Sequence, residues 1–495
     1  MRTDRSDDAI RIAVVGHTNA GKTSLLRTLT RRVEFGEVSS RPGTTRHVER
    51  VDLLVHGRAA VRFFDTPGLE DAVSLCEHIA QIAGSADTSA MPTPLDRIRW
   101  FLEGPEARGN FEQEAKVLRM LLDVDAAFLV IDAREPVLPK YRDEIELIGS
   151  CARPVLPVLN FVRDASSLES EWRALLAAYG MHAVVRFDAA APFVGAEHDL
   201  YQDLVTLLRD RSAVLREVAT FLDDEAVQRR RASATRIAEM LLDAAATRRT
   251  ITAADFADEA RRTPLVAALR QGIADKAQRC ASDLLALYGF RENDADETPL
   301  PLLEGRWSMD FFSPEAMKEA GVRLGQGAVV GAALGVMADV ALGGLSLGAG
   351  AALGATLGGA LMQGWSPLGR KLASRLREMR ELSVEEPVLA VLLTWQLDLV
   401  RELERRGHAA TRRLALDDGP AATRSEGFRT AVSAVIKTLR PARSHPEWES
   451  GLRPRRQAGA GDTQRAAVVD NVAASANEAL LASTADDPDR AAQRR

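Results

Sequence analysis

The 495-residue sequence holds little cysteine and few aromatic side chains. Its three cysteines, Cys76, Cys151 and Cys280, lie far apart, so no zinc spacing, redox pair or disulfide framework is present. Free thiols of this kind point to a reducing compartment. The eight histidines are equally scattered and offer no metal-binding set. Aromatics make up 5% of the residues, so the cores must be built largely from Ala, Val and Leu, which favours helices packed through small side chains. The first residues, Met1 to Asp8, are charged and lack an apolar stretch. The expectation is therefore no secretory signal and a cytoplasmic location. Neither charge dominates: a net charge of −6 argues against a dedicated nucleic-acid binder.

What the sequence does hold begins with short apolar runs. Ile10 to Val15, Ala126 to Ile131, Val155 to Leu159 and Ala183 to Phe187 read as buried parallel strands. Val51 to Val55 and Ala60 to Phe64 read as a pair joined by a turn at His56-Gly57-Arg58. Strands alternating with helices imply a doubly wound, mostly parallel α/β sheet over residues 1–212. Residues 70–124 exceed what such a fold needs between strands and read as a helical insertion, either a moving element or a passive decoration.

Gly16-His17-Thr18-Asn19-Ala20-Gly21-Lys22-Thr23 fits G-x-x-x-x-G-K-[ST] between a strand and a helix, the context this phosphate-binding loop requires. Its glycines let backbone N–H groups curl around phosphates, and the helix N-terminus adds partial positive charge. Lys22 is expected on the β- and γ-phosphates and Thr23 on Mg²⁺. Gly16, His17, Asn19, Ala20, Gly21 and Ser24 complete the candidate phosphate-binding set. Asp65-Thr66-Pro67-Gly68 closes a strand; Asp65 would reach Mg²⁺ through water, and the Gly68 N–H would reach the γ-phosphate. Between the two motifs lies Arg41-Pro42-Gly43-Thr44-Thr45-Arg46-His47, where a Thr can meet Mg²⁺ only when the γ-phosphate is present.

In this order and spacing the three motifs resemble those of Era-type and TrmE-type translation-factor-class GTPases. The resemblance covers roughly residues 1–212 and implies GTP as ligand, GDP as product and Mg²⁺ as cofactor. It implies Thr45 as the switch-loop Mg²⁺ ligand, with Lys22 and Gly68 beside it in the catalytic set. Asn19 matches the residue that helps hold K⁺ in potassium-activated members. Leu69 stands where Ras-like proteins carry a water-orienting Gln, so a low intrinsic rate is expected. The base-reading pattern Asn-Lys-x-Asp is altered to Asn160-Phe161-Val162-Arg163-Asp164. Asp164 either reads guanine across a one-residue bulge or is a turn residue. Asp188-Ala189 matches the family's last nucleotide loop weakly. The chain as a whole resembles bacterial GTPases that carry a C-terminal domain of unknown function.

Residues 213–320 and 367–440 carry helical patterning, as in Ile237, Met240, Leu241 and Ala244. Residues 321–366 are Gly-rich and apolar, with Gly every fourth place and Asp339 as the single charge from Leu324 to Gly364. A turn at Gly343-Gly344 would give two helical legs of about twenty residues, long enough to cross a bilayer. They form either a membrane-contacting hairpin over 324–364, at the inner face of the plasma membrane, or a buried hairpin inside a soluble bundle. Residues 441–495 are expected to be without fixed structure, save a weak helix near Ala466 to Leu481. The functional expectation is a nucleotide-dependent switch. A membrane-remodelling or tethering GTPase of dynamin-like behaviour and a ribosome- or RNA-associated assembly GTPase are its rivals, and pairing of the GTPase domains into a homodimer is a further expectation.

Overall fold

A computed structural model describes residues 9–31, 48–85, 92–189, 192, 195–290, 345–349, 379–405, 426–450 and 460–485. By internal contacts the chain divides into two compact units, Met1–Ala226 with Arg405–Thr411 and Val227–Glu404 with Arg412–Arg495.

The first unit is built on β1 (Ile10–Val15), α1 (Lys22–Thr30), β2 (Glu49–Val55), β3 (Arg58–Asp65), α2 (Ala72–Ser85), α3 (Pro94–Glu103), α4 (Glu112–Leu122) and β4 (Ala126–Asp132). It continues through α5 (Pro139–Ser150), β5 (Val155–Asn160), α6 (Glu169–Ala178), β6 (Val185–Arg186) and α7 (Ala196–Leu207). The strands form one sheet in the order β2-β3-β1-β4-β5-β6. Every neighbouring pair is parallel except β2 and β3. That hairpin turns at His56 and Gly57, whose φ values of 50° and 77° match the left-handed turn that suits twisted strands. Parallel strands are covered on both faces and so read as continuous apolar runs; in β4 all but the last residue are buried. β1 has β3 on one side and β4 on the other. Strand order therefore reverses at its C-terminal end, where open α/β sheets form their ligand crevice.

Between 70 and 124 the described residues form α2, α3 and α4. Thr93 and Asp96 cap α3 reciprocally, with Pro94 at its first position. Ile98, Phe101, Val117, Leu118 and Leu121 are buried in the same core as the sheet, so these helices belong to the body of the unit.

A boundary was expected at 212; α8 runs from Ser212 to Ala246, and the division by contacts falls inside this helix, after Ala226. The second unit adds β7 (Arg248–Thr252), α9 (Ala253–Ala257), α10 (Glu259–Leu287), β8 (Leu345–Ala349), β9 (Met379–Val384), α11 (Glu386–Arg405), α12 (Glu426–Thr438) and α13 (Ala460–Ala485). Thr252 caps α9 by accepting from the Asp255 amide. The helical region is present as expected, and it also holds an antiparallel sheet of order β7-β9-β8 that periodicity did not reveal. β7 and β9 come from segments more than a hundred residues apart. β8 lies in the Gly-rich stretch, so Leu345–Ala349 is a strand where a helical leg was expected. Its backbone finds partners in the ladder with β9, and Gly disfavours the helical alternative. The rest of 321–366 lies outside the described residues. Among the described residues no helix is long and apolar enough to cross a membrane.

In the C-terminal stretch the helix expected near Ala466 to Leu481 lies within α13, but it is longer and buried where little fixed structure was expected. α13 buries Val469, Val472, Ala476, Ala479 and Leu480 in the core of the second unit. Composition hid this face because Ala supplies much of it, and small side chains such as the fully buried Ala277 and Ala281 let helices in this core pack closely. Trp448 and Glu449 are buried too. Glu449 meets Arg249 at 2.8 Å and Lys276 at 3.0 Å, and Lys276 meets Asp243 at 3.2 Å. This network pins residues 449–450 to α8 and α10, since Asp243 also accepts from the Ser450 amide and hydroxyl.

Candidate functional site

The loop after β1 is shaped by two glycines that no other residue could replace. Gly16 has φ 138°, and a Cβ there would overlap the Val130 carbonyl of β4. Gly21 has φ 92°, and a Cβ there would overlap the Asn160 amide. The loop therefore lies pressed against the ends of β4 and β5. Lys22, the first residue of α1, folds back over it and donates to the carbonyls of Gly16 at 3.0 Å and His17 at 2.9 Å. Burial lowers its pKa, opposed by the charges of Asp65, Glu144 and Glu70. A desolvated ammonium held over a phosphate-sized loop is poised to exchange these carbonyls for anionic oxygens.

Thr23 donates from Oγ1 to Asp65 Oδ2 at 2.5 Å. Burial pushes the Asp65 carboxyl up to about 6, against the pull of Thr23 and Lys22. Its other oxygen, Oδ1, is buried and has no hydrogen-bond partner among the described residues. A hydroxyl beside a carboxylate with one orphaned oxygen is a hard-donor set, and it fits a small divalent cation such as Mg²⁺ completed by waters and phosphate. Thr66 anchors the end of β3 by donating to the Val14 carbonyl at 2.7 Å. Gly68 then passes so close to Thr18 that a Cβ would overlap the Thr18 hydroxyl and amide. The Thr18 hydroxyl is itself buried without a partner among the described residues. Leu69 is fully buried in the core of the unit, so its side chain is absent from this corner. Thr45 lies outside the described residues, and Ser24 is half-buried on α1.

Asn160, at the end of β5, is the pivot of the second half. Its Nδ2 donates to the Ala20 carbonyl at 3.0 Å, and its Oδ1 accepts from the amides of Phe161 at 3.0 Å and Ala189 at 2.9 Å. One buried side chain thus ties the phosphate loop to both loops expected at the base. Thr28 of α1 reinforces the join by donating to the Ala189 carbonyl at 2.9 Å. Phe161 adopts a left-handed φ of 59°, and its ring carries the Arg134 guanidinium 3.9 Å above its centre. Asp164 Oδ1 accepts from the Ser166 amide at 2.9 Å and hydroxyl at 2.7 Å, an Asx turn. Asp188 is buried at the end of the neighbouring strand.

His17 turns away from this line of residues. Lys140 can only donate, and at 2.9 Å it meets His17 Nε2. The ring hydrogen therefore sits on Nδ1, which donates to Glu144 at 2.6 Å. His17, Thr18, Asp132, Lys140 and Trp172 help to line a cavity of about 270 Å³ beside the loop. Thr18 and Thr66 stood inside the motifs without an assigned role, and Arg134, Lys140 and Glu144 lay outside them. Asp132-Ala133-Arg134 after a buried strand was the one local signal for Arg134.

A family model described as "Domain of unknown function (DUF3482)" matches residues 173–474, more than half of the chain. A second, described as "50S ribosome-binding GTPase", matches residues 11–161. Among curated proteins, tRNA modification GTPase MnmE of Rhizobium meliloti is 44% identical over 70 residues, 14% of this chain and 16% of that protein. The MnmE of Phenylobacterium zucineum is 42% identical over 103 residues, 21% and 22% of the two chains. The chain thus spans under a quarter of the length of the curated relatives it matches. Among solved structures, an Era variant from Aquifex aeolicus bound to GDP and AlF4⁻ is 21% identical, covers 40% of this chain and 56% of that one, and has a TM-score of 0.29. A probable GTP-binding protein EngB is 14% identical, covers 40% and 99%, and has a TM-score of 0.25.

Proposed function

The chain belongs to the DUF3482 family and carries a P-loop GTPase domain at its N-terminal end, and from that premise we propose that it is a slow, Mg²⁺-dependent GTPase in which bound nucleotide sets the conformation of residues 36–47 and 66–80. The observation that carries this reading is the Thr23–Asp65 pair, with its orphaned carboxylate oxygen, beside a Lys22 held by backbone carbonyls. Water would attack the γ-phosphorus in line, and the bond to the β–γ bridging oxygen would break to give GDP and phosphate. Lys22 and the loop amides hold the phosphate oxygens through this step, and the Gly68 amide meets the γ-phosphate. Thr23, Thr45 and, through water, Asp65 are the residues that would hold Mg²⁺, which would supply neutralisation of the negative charge on the phosphates. The buried Leu69 supplies nothing to the attacking water, which supports a low rate.

Asn19 stands exposed at the crest of the loop with φ 66°, a placement that supports the role expected for it with K⁺. Turnover faster in K⁺ than in Na⁺, with the difference lost in Asn19→Ala, is the expected result; equal turnover in both salts would end that part of the reading. The first test of the whole is binding of labelled GDP, GTP and ATP to the full chain, with Lys22→Ala as control. Guanine preference abolished by the substitution is expected.

The wider roles are separable. GTP-dependent liposome co-sedimentation lost on removing residues 324–364 would favour membrane tethering or remodelling. Co-sedimentation with ribosomal particles would favour an assembly factor, and GTP-dependent dimerisation would support pairing of the GTPase domains.

A further inference from the structure

The altered base loop leaves open which group distinguishes guanine from adenine when the usual lysine is Phe161 and the aspartate comes one residue late. Asp164 Oδ1 is occupied by two hydrogen bonds from Ser166, which hold the loop's own turn. Phe161, by contrast, is held in place by its backbone. Its left-handed conformation and the Asn160 anchor bring the ring to the phosphate loop, where its tip would lie 3.5 Å from a Cβ on Gly21. Arg134 lies over that ring at 3.9 Å.

Arg134 is also oriented along its own plane. Asp132 grips one edge of the guanidinium, taking Nε at 2.9 Å and Nη2 at 2.7 Å. The backbone amide of Arg134 donates to the same carboxylate at 3.0 Å. The remaining edge, Nη1 with the outer hydrogen of Nη2, is left to present two parallel N–H donors. Asp164 and Asp188, the other two residues expected at the base, place their charges near this group after Asp132. The guanidinium thus stands among the base-loop residues, fixed on one edge and stacked on one face.

We propose that Arg134, held by Asp132 and stacked on Phe161, is the specificity-determining residue for the purine, its free edge donating to guanine O6 and N7. This inference rests on the reading of residues 16–23 as a nucleotide-binding loop. The chemistry follows from the base edges. Guanine offers two acceptors at O6 and N7, which a planar fork of donors matches; adenine replaces O6 with an amino donor that faces the fork unfavourably. The Arg134 guanidinium covers one face of Phe161, so the ring serves to hold the arginine and does not itself choose between purines. Asp164 keeps the loop in shape.

Competition of GTP, ITP and ATP against a fluorescent guanine nucleotide, on the full chain and its variants, decides the matter. ITP keeps O6 and N7 but lacks the 2-amino group that an aspartate reader needs. GTP and ITP are expected to bind within about threefold of each other, and ATP more weakly. Arg134→Gln is expected to narrow the GTP-to-ATP ratio by about tenfold to a hundredfold, through loss of GTP and ITP. Arg134→Lys, which keeps the charge but not the planar fork, is expected to narrow it similarly. An unchanged thermal midpoint shows that the variants fold. ITP bound tenfold more weakly than GTP, with the GTP-to-ATP ratio intact in Arg134→Gln, would overturn the proposal and return base reading to Asp164. Equal GTP and ATP binding by the unaltered chain, abolished by Lys22→Ala, would overturn this proposal alone. Binding that Lys22→Ala leaves untouched would overturn the nucleotide-site reading with it.

Discussion

Asp65→Asn is expected to stabilise the nucleotide-free protein while removing its Mg²⁺-dependent GTP binding. The Asp65 carboxyl is raised from 3.8 to about 6, chiefly by burial, and Thr23 and Lys22 only partly offset that cost. A folded-state pKa above the unfolded value means that the protonated form is favoured by folding. That contribution is complete below about pH 3.8 and is lost as pH rises through about 6. At neutral pH the ionised group therefore costs the apo fold about 3 kcal/mol, because each tenfold change in proton affinity is worth about 1.4 kcal/mol. Asparagine keeps the shape and still accepts from Thr23, but it carries no charge to desolvate. Urea unfolding in EDTA at pH 7.5 should show the midpoint of the first unit rising by about 1 M, given a slope of about 1–3 kcal/mol per molar urea. At pH 4 the two proteins should differ little, because Asp65 is then protonated in the folded state. A variant no more stable than the parent at pH 7.5, or shifted equally at both pH values, would refute the argument. Function would then not be set against stability at this carboxylate.

Glu449→Gln probes the second unit. Burial pushes Glu449 up, but hydrogen bonds from Arg249 and Lys276 outweigh it and bring the carboxyl down to about 2. Its stabilisation should be complete above about pH 4.5 and lost as pH falls towards 2, and Glu449→Gln should cost about 2 kcal/mol at pH 7, after allowing for the half-exposed Arg249. A flat acid limb in the parent, or an unaltered urea midpoint in the variant, would remove this network from the account. Leu69→Gln should not create a faster GTPase. The side chain is fully buried, so an amide there should destabilise by about 2–4 kcal/mol, and a gain in turnover with no loss of stability would contradict this. Thr18→Val should lower turnover several-fold while GDP affinity holds, because only the orphaned hydroxyl beside Gly68 is removed; equal kcat would assign that hydroxyl no part.

Most of the first unit was legible because its signals are local. A buried parallel strand must be apolar throughout, and a loop that wraps phosphate must place glycines at Gly16 and Gly21, whose φ values no side chain suits. Asp65 and Leu69 could be placed by counting from the strand that precedes them. The loops expected at the base were only half legible. Asn160 was visible, but its simultaneous hold on Ala20 and Ala189 joins three loops that are far apart in sequence. Arg134 was invisible as a partner of Phe161, since a cation over a ring depends on where two loops end and on no spacing.

The second unit shows the same division more sharply. Helical periodicity identified α8 and α10, because a face buried along one helix repeats within that helix. It said nothing of β7 and β9, whose five paired residues stabilise one another only across a long intervening segment. Composition gave α13 only as a weak helix and did not reveal its burial, because an Ala-lined face becomes hydrophobic core only when other elements cover it. The sequence by itself determined the glycine-bounded loop after β1, the positions of Thr23 and Asp65 beside it and the strands of the parallel sheet, because each follows from constraints acting within a few residues. Tertiary structure alone decided which carboxylate oxygen is left without a partner, which arginine stands over Phe161 and which residues of the C-terminal stretch are buried. Those outcomes depend on desolvation and on contacts between distant segments, and neither exists until the chain is folded.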